Sequence, residues 1–243
     1  MATRPTRLTP RATRRVTPRA SSRAAPRQAA PRAQRPDGNL TRLHILDTAG
    51  QVFAELGYAN TTSKEICSRA GTNIAAVNYH FGGKDGLYEA VLIEAHQQIV
   101  SLDELVDLAG LPTDPRLKLR TLLTHLLEMG ARPPAPWGFK VMLREAMSPS
   151  PLAPALIKRA IEPKAKLLLG LIAEIVGLPA NHPAVQGGLM FTVLPCIVLL
   201  IAPRELGNKV LPALKEPAAL IDELLRYVNG GLDAIAKAHR PRR

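Results

Sequence analysis

Helical spacing begins at Asn39, where apolar side chains start to recur every three or four residues. The first predicted helix contains Leu40, Leu43, Leu46, Ala49, Val52, Phe53 and Leu56, and Gly57 ends it as a C-terminal cap. A second, short helix follows at Thr62, because Thr62-Ser63-Lys64-Glu65 has the form of a capping box. A third helix is predicted from Asn73 to about His80, where Gly82-Gly83 breaks the pattern.

The rest of the chain continues in the same helical period. A long fourth helix is predicted from Lys84 or Asp85 to about Leu108. Five more are predicted, separated by proline and glycine, at about 115–130, 137–147, 152–177, 183–202 and 217–238. No stretch alternates in the way that strands do, and no repeat is visible. The sequence therefore predicts an all-α fold of about nine helices, a three-helix N-terminal unit followed by a larger helical domain.

The second and third helices, joined by a turn that contains Gly71, are spaced like a helix-turn-helix. On a helical wheel, Ile74, Val77 and Phe81 share one side of the third helix and are expected to pack inward. Ala75, Ala76 and Tyr79 fall on the opposite side, with Asn78 and His80 on its flanks. Small and hydrogen-bonding side chains on that face favour close approach to DNA bases and phosphates.

The predicted DNA contacts extend to the helix starts beside this face. Helix N-termini offer free amides to phosphate, and Lys64 and Lys84 add charge, as does Arg69. Ala75, Ala76, Tyr79 and His80 are expected to read bases, and Asn78 to hold backbone. The full set of predicted DNA-binding residues is Thr62, Ser63, Lys64, Thr72, Asn73, Ala75, Ala76, Asn78, Tyr79, His80 and Lys84.

The charge of the chain is concentrated at its start. The formal net charge is +12, and residues 1–36 contain ten arginines, no lysine and no acid. Low complexity and recurrent proline predict a disordered tail. It is either a basic arm that contacts phosphate or a solvated stretch that includes a wrongly assigned start. Its composition also resembles an organelle transit peptide, which the prolines disfavour.

Several other classes of protein are disfavoured. Cys67 and Cys196 are too far apart in sequence to suggest a disulfide framework or zinc site, and the six histidines are scattered. The uncharged stretch 183–203 suggests a membrane-spanning helix as one alternative. Its dense apolar part is shorter than the ~20 residues that a bilayer needs, so a buried helix is expected. No motif of a phosphate loop, serine hydrolase or metalloprotease is present. We expect no enzyme activity, no cofactor and no metal.

Two runs of residues resemble the TetR family of bacterial repressors. They are Phe53 to Gly71 (FAELGYANTTSKEICSRAG) and Val77 to Leu87 (VNYHFGGKDGL), and the match covers about residues 40–95. Asn78-Tyr79-His80-Phe81 with Gly82-Gly83-Lys84 is similar to the CecR-type branch. Ile74 stands where the family often has a polar or basic residue, so no base contact is expected from it.

The resemblance implies a cytoplasmic, nucleoid-associated homodimer that binds a palindromic operator on double-stranded DNA and releases it when a small molecule enters the C-terminal domain. It implies four segments: a basic tail (1–36), a helix-turn-helix domain (37–84), an effector-binding and dimerisation domain (85–238) and a basic C-terminal tail (239–243). The competing hypothesis is a helical scaffold or nucleoid-type protein whose arginine tail binds nucleic acid without sequence preference.

Candidate effector and interface residues follow from polar groups in apolar surroundings and from apolar helix faces. The effector candidates are His125, Met129, Trp137, Phe139, Met142 and Arg144, with core packing as the alternative for Trp137 and His125; Arg144 and Glu145 could instead be a surface pair. The helices at 183–202 and 218–236 are expected to form a four-helix dimer interface. Its candidates are Leu189, Val193, Cys196, Ile197, Leu200, Leu220, Leu224 and Tyr227.

Overall fold

A computed structural model describes residues 36–131, 136–201 and 217–240. Within these ranges every regular element is helical, which confirms the all-α prediction. The elements are α1 (Pro36–Asn60), α2 (Ser63–Arg69), α3 (Ile74–Phe81), α4 (Lys84–Ile99), α5 (Leu102–Gly110), α6 (Pro115–Ala131), α7 (Trp137–Met147), α8 (Ala153–Leu156), a π-helical turn (Ile157–Ile161), α9 (Glu162–Val176), α10 (Pro183–Ile201) and α11 (Pro217–Ala238).

The first helix has a break at Gly57, the residue at which the sequence predicted its end. Gly57 has φ 75° and ψ 169°, outside the helical region, although the helix resumes to Asn60. Leu40 and Leu43, the first two residues of the apolar period, are 66% and 49% exposed. At the start of α1, Arg42 and His44 face the neighbouring helices instead. The Arg42 guanidinium lies 5.0 Å from the Phe81 ring centroid, and His44 Nε2 lies 3.2 Å from the Ala70 carbonyl oxygen.

The long fourth helix of the prediction is in fact two helices. α4 ends at Ile99, and Ser101 begins α5 with a complete capping box. Ser101 Oγ accepts a hydrogen bond from the amide of Glu104 at 3.0 Å, and the Glu104 carboxylate accepts one from the amide of Ser101 at 2.9 Å. The two bonds satisfy donors that a continuous helix would have used, so the Ser-x-x-Glu spacing marks a helix start that apolar periodicity alone did not reveal.

The buried apolar residues form two clusters. The first joins α1, α2, α3 and α4 to α7, α8 and the π-helical turn, and it extends from Ile45 to Ala160. The second joins α5, α6, α9, α10 and α11, from Leu105 to Leu232. The three N-terminal helices therefore share their buried cluster with α4, α7, α8 and the π-helical turn. The predicted domain boundary between residues 84 and 85 stays a prediction.

Two glycines allow α7 to pack closely on α1 and α4. A Cβ on Gly138 would lie 2.8 Å from Ala95 Cα and 2.9 Å from its carbonyl oxygen, both backbone atoms of α4. A Cβ on Gly50 of α1 would lie 2.5 Å from the Trp137 indole. Because the neighbour of Gly138 is backbone, that contact sets the spacing of α7 and α4; the contact at Gly50 is with a side chain, the Trp137 ring.

The uncharged stretch that was considered as a membrane-spanning helix forms α10. No helix within the described ranges is both long enough and apolar enough to cross a bilayer.

We expect Gly138→Ala to lower the free energy of unfolding by about 1–3 kcal/mol, because the added methyl would collide with the backbone of α4. Urea denaturation followed by circular dichroism measures this. Gly170→Ala is the matched control: Gly170 lies within α9 and has open space around its Cα, so alanine should be neutral or gain up to ~1 kcal/mol. Equal stabilities of the two variants would contradict the tight α4–α7 contact.

Candidate nucleic-acid interface

Side-chain caps define the two short helices of the helix-turn-helix. Thr62 Oγ1 accepts a hydrogen bond from the amide of Glu65 at 3.2 Å, and Asn73 Oδ1 accepts one from the amide of Ala76 at 3.0 Å. Gly82, with φ 75°, ends α3 in the left-handed conformation that glycine adopts at little cost. The predicted helix-turn-helix is therefore present, with α3 in the position of the second helix.

One side of α3 is exposed and the other is buried in the first cluster. Val77 is fully buried, and Phe81 is partly buried against the same cluster. Tyr79 is 83% exposed, and its ring centroid lies 4.9 Å from that of the half-buried His80 in an edge contact. Ala75 and Asn78 are also exposed. These side chains can reach a ligand that lies along α3.

Two of the predicted positions on α3 are wrong. Ile74 was expected to pack inward but is 51% exposed, whereas Ala76 was expected to face outward but is partly buried against the first cluster. The buried side of this two-turn helix runs through Val77, flanked by Ala76 and Phe81. It is therefore rotated away from Ile74, which the apolar pattern alone had placed inside.

Charged groups around α2 and α4 are held by specific partners. Lys64 is exposed, and the Lys84 ammonium lies 4.3 Å from the Tyr58 ring centroid, a cation–π contact that leaves its charge in place. Tyr58 donates a hydrogen bond to Asp85 Oδ1 at 2.7 Å, which raises the pKa of Tyr58. Arg69 does not supply the expected free charge, since its guanidinium pairs with Glu55 at 2.5 Å and Glu65 at 2.7 Å.

The remaining predicted contacts lie along the same surface. Thr62 is exposed and Ser63 half-buried at the start of α2. Thr72 and Asn73, with Lys64 and Ala75, line a shallow groove between α2 and α3. Of the predicted DNA-binding residues, Lys64, Thr72, Asn73 and Ala75 share this groove, and Ala76 is partly covered. The assignment of the whole set to DNA stays a prediction.

Three of the effector candidates lie on α7, and two of them, Trp137 and Arg144, bond to α1. Trp137 Nε1 donates a hydrogen bond to Asp47 Oδ1 at 2.8 Å, and Met142 packs against the first cluster. Arg144 donates to the carbonyl oxygens of Ala54 at 2.9 Å and Glu55 at 2.8 Å, just before the break in α1. Their partners lie some 90 positions away in sequence, so no local pattern could have identified them.

Glu145 is not part of a surface pair with Arg144. It is 4% exposed, and its carboxylate accepts hydrogen bonds from the Tyr88 hydroxyl at 2.9 Å and from the amide and hydroxyl of Ser150 at 3.0 and 2.8 Å. Burial and this hydrogen bond raise the pKa of Tyr88, which keeps its proton on the hydroxyl. The network ties α7 to the middle of α4.

Two cavities in the body lie on either side of α5. One, of about 340 Å³, lies between α5 and α6, and His125 of the effector candidates lines it together with Glu104 and Asp107. The other, of about 200 Å³, lies between α5 and α9, beside Lys118 and Lys166. Leu105 and Leu108 line both. Phe139 and Met129 are half-buried and line neither.

A buried lysine holds the end of α4. Lys164 of α9 is 3% exposed, and its ammonium donates hydrogen bonds to the carbonyl oxygens of Val100 at 2.6 Å and His96 at 3.0 Å and lies 2.8 Å from His96 Nδ1. A cation at the carboxyl end of a helix is favourable. Burial lowers the pKa of Lys164 to about 8, and burial together with the Lys164 charge lowers the pKa of His96 to about 4. Sequence reasoning missed this pair.

The interface candidates divide by exposure. Ile197 and Tyr227 are 42% and 70% exposed, and Leu189, Val193 and Leu220 are half-buried. Cys196 and Leu224 are buried in the second cluster of their own subunit, so they cannot contact a partner directly. The side chain of Leu200 lies outside the described residues. The exposed apolar side of α10 also includes residues that were not predicted: Met190, Phe191, Leu194 and Val198.

Two family models match the chain. Residues 45–91 match the model described as bacterial regulatory proteins, tetR family, and residues 115–228 match the C-terminal domain of the HTH-type transcriptional dual regulator CecR. The chain belongs to the TetR family. This TetR-family protein is by class a DNA-binding transcriptional regulator, and its C-terminal part is of the CecR type, as the motifs around Tyr79 predicted.

Curated relatives agree with this assignment, and solved structures have a similar fold. The chain is 35% identical over 97 residues to the regulator AcrR from Shigella flexneri, a match that covers 40% of this chain and 45% of that protein. It is 28% identical over 153 residues to CecR from the same organism, covering 59% of this chain and 68% of CecR. The fold is similar to that of FadR from Bacillus subtilis in complex with stearoyl-CoA, with TM-score 0.60, 16% identity and coverage of 78% of this chain and 98% of the other.

Tyr79 was grouped with the base readers, but its hydroxyl is also a good phosphate donor. If it binds phosphate, we expect Tyr79→Ala to weaken binding to all duplexes by a similar factor of roughly ten, because a phosphate contact carries no sequence information. Fluorescence anisotropy with operator and random duplexes measures both affinities. Tyr79→Phe keeps the ring and removes the hydroxyl, so it should lose about as much. Because Tyr79 is so exposed, neither change should alter stability. Normal operator binding by Tyr79→Ala would remove this residue from the interface.

The low pKa of His96 predicts a loss of stability in acid. Between pH 6.5 and about 4 the unfolded chain binds a proton at His96 that the folded chain does not, so the free energy of unfolding falls as pH falls through this range. The contribution is on the order of 2–3 kcal/mol. Urea titrations across this range should show a flatter profile for His96→Gln than for the wild type.

His239→Gln is the control for this experiment, because it removes an exposed histidine that follows α11 and contacts His182, away from the end of α4. Identical pH profiles for His96→Gln and the wild type would show that His96 does not stay neutral in the folded protein.

Proposed function

We propose that this protein is a cytoplasmic repressor that binds a palindromic operator as a homodimer and is released by a small-molecule effector. The observation that carries the proposal is the exposed side of α3, which includes Ala75, Asn78 and the largely exposed Tyr79. Ala75 also lines a shallow groove together with Lys64 of α2. These side chains have no role in the core, and their small size and hydrogen-bonding groups suit the major groove.

Backbone contacts on either side would position α3. The start of α2, with Thr62 and Ser63, and the start of α4, with Lys84, present helix N-termini and positive charge to phosphates. The arginine tail (residues 1–36), which lies outside the described residues except at Pro36, would add affinity that depends on salt and not on sequence.

The homodimer rests on the apolar side of α10. Met190, Phe191, Leu194, Ile197 and Val198 are each between 42% and 66% exposed on one helix, and Tyr227 of α11 is 70% exposed. An apolar surface of this kind on a helix pair fits a self-complementary interface around a two-fold axis. Two copies so joined would present two α3 helices to two half-sites.

Effector release is supported by the position of the cavities. Both border α5, whose first residues follow the end of α4, where the Lys164 ammonium binds the carbonyl oxygens of His96 and Val100. A molecule that displaces α5 would therefore disturb the C-terminal end of α4. The N-terminal end of the same helix begins at Lys84, next to the helix-turn-helix. The separation of two α3 helices in a dimer would change with it.

The central test is a selection of operators from random duplexes by the purified full-length protein, followed by affinity measurements on the enriched sequence. A palindromic consensus bound at least ~10³-fold more tightly than random DNA supports the operator reader. Comparable affinity for all duplexes would instead favour the nucleoid-type alternative. Adding candidate small molecules to the operator complex and measuring dissociation then tests release.

We expect Phe191→Glu to shift the protein from dimer to monomer in sedimentation-velocity experiments, because a charge would be buried in the apolar interface. Binding to a half-site should survive more than binding to the full palindrome. Met147→Glu is the control, since Met147 is 80% exposed on α7 and outside this surface. A Phe191→Glu protein that remained dimeric would place the interface elsewhere.

A further inference from the structure

An exposed aliphatic side chain stands at the start of α3. Ile74 is the first residue of the helix, directly after the cap Asn73, and it is 51% exposed. Within α2 and α3, the exposed large apolar side chains are Ile74 and Tyr79. Ile74 contributes little to the core, so packing does not explain why this position is apolar.

The surroundings of Ile74 are polar and carry positive charge. It lies in the shallow groove between α2 and α3 together with Lys64, Ser68, Thr72 and Ala75. No carboxylate lines this groove, and the nearby Glu65 is paired with Arg69. An apolar centre with an ammonium and hydroxyls at its edge suits a polyanion that offers a small apolar group.

Duplex DNA offers such a group in its major groove. Thymine presents a C5-methyl there, and no other standard base does. Residues at the N-terminal end of a recognition helix are the ones that contact base edges. Ala75 is too short to cover a methyl group as fully, and Ala76 is partly buried. The β-branched Ile74 has restricted rotation about χ1, so it loses little freedom on contact.

We propose that Ile74 is a specificity-determining residue that contacts the C5-methyl group of one thymine in each operator half-site. This inference rests on the proposed function, in which α3 enters the major groove. It assigns a base preference to a position from which no base contact was expected.

The test removes single methyl groups from the DNA. Once the operator has been selected with the full-length protein, each thymine is replaced in turn by deoxyuridine, which differs only by the methyl. At one position of each half-site we expect the affinity to fall about fourfold, corresponding to the ~0.8 kcal/mol of one buried methylene-sized group. Replacing both symmetric positions should cost roughly 15-fold, because distant sites are additive.

Ile74→Ala should lose about the same fourfold per half-site on the thymine operator and become insensitive to deoxyuridine at that position. Ile157→Ala is the matched control: Ile157 is 54% exposed in the π-helical turn, so it loses the same group from a surface outside the helix-turn-helix and should keep the wild-type sensitivity.

The outcomes distinguish a failure of the proposed Ile74–thymine contact from a failure of the proposed operator binding. A selected operator that tolerates deoxyuridine at every thymine, or an Ile74→Ala variant that keeps the wild-type sensitivity, overturns the role of Ile74 and leaves the operator reader standing. Unchanged affinity of Ile74→Ala for all duplexes likewise overturns the role of Ile74. Failure to select any sequence overturns both proposals.

Discussion

The packing of α7 against α1 and α4 is the contact on which the rest of the structure depends. Gly138 lets the two helix backbones approach, and Trp137 and Arg144 bond to groups of α1. The buried carboxylate of Glu145 receives the Tyr88 hydroxyl from α4. The helix-turn-helix shares one buried cluster with α7, α8 and the π-helical turn. Because directional bonds in a close-packed interior resist displacement, we expect these elements to move together.

The position of α4 is further restricted at both of its ends. Lys84 rests on the Tyr58 ring at the start, and Lys164 donates to the last carbonyl groups at the end. A buried ammonium is tolerable only while its acceptors remain in place. A shift of α4 would leave this charge without partners, so we expect the helix to occupy a few discrete positions instead of a continuum.

Much of the fold could be predicted because proline and glycine mark helix ends chemically. α7 was predicted at its observed bounds, and α10 and α11 begin at Pro183 and Pro217 as expected. The face of α3 was harder, since two helical turns with three apolar residues do not fix which side is covered. The covered side is decided by packing against α4 and α2. Ile74 was misplaced for that reason.

The roles of Trp137, Arg144 and Lys164 could not be predicted because they depend on partners far away in sequence. Each looks locally like an ordinary aromatic or basic residue on a helix. Their bonds to Asp47, Ala54 and Val100 appear only once the chain has folded. Capping by Ser101, by contrast, was visible in the sequence as Ser-x-x-Glu.

The first hydrophobic cluster is discontinuous along the chain, since it takes residues from both Ile45–Ala95 and Val141–Ala160. A hybrid regulator joins the DNA-binding helices of one protein to the body of another at a single junction. Here a cut after α4 would separate Tyr88 and Ala95 from Glu145 and Gly138 of α7, which contact them. A transplantable module from this protein would have to carry α7 along with the first four helices, or the recipient scaffold would need a helix reshaped to replace it.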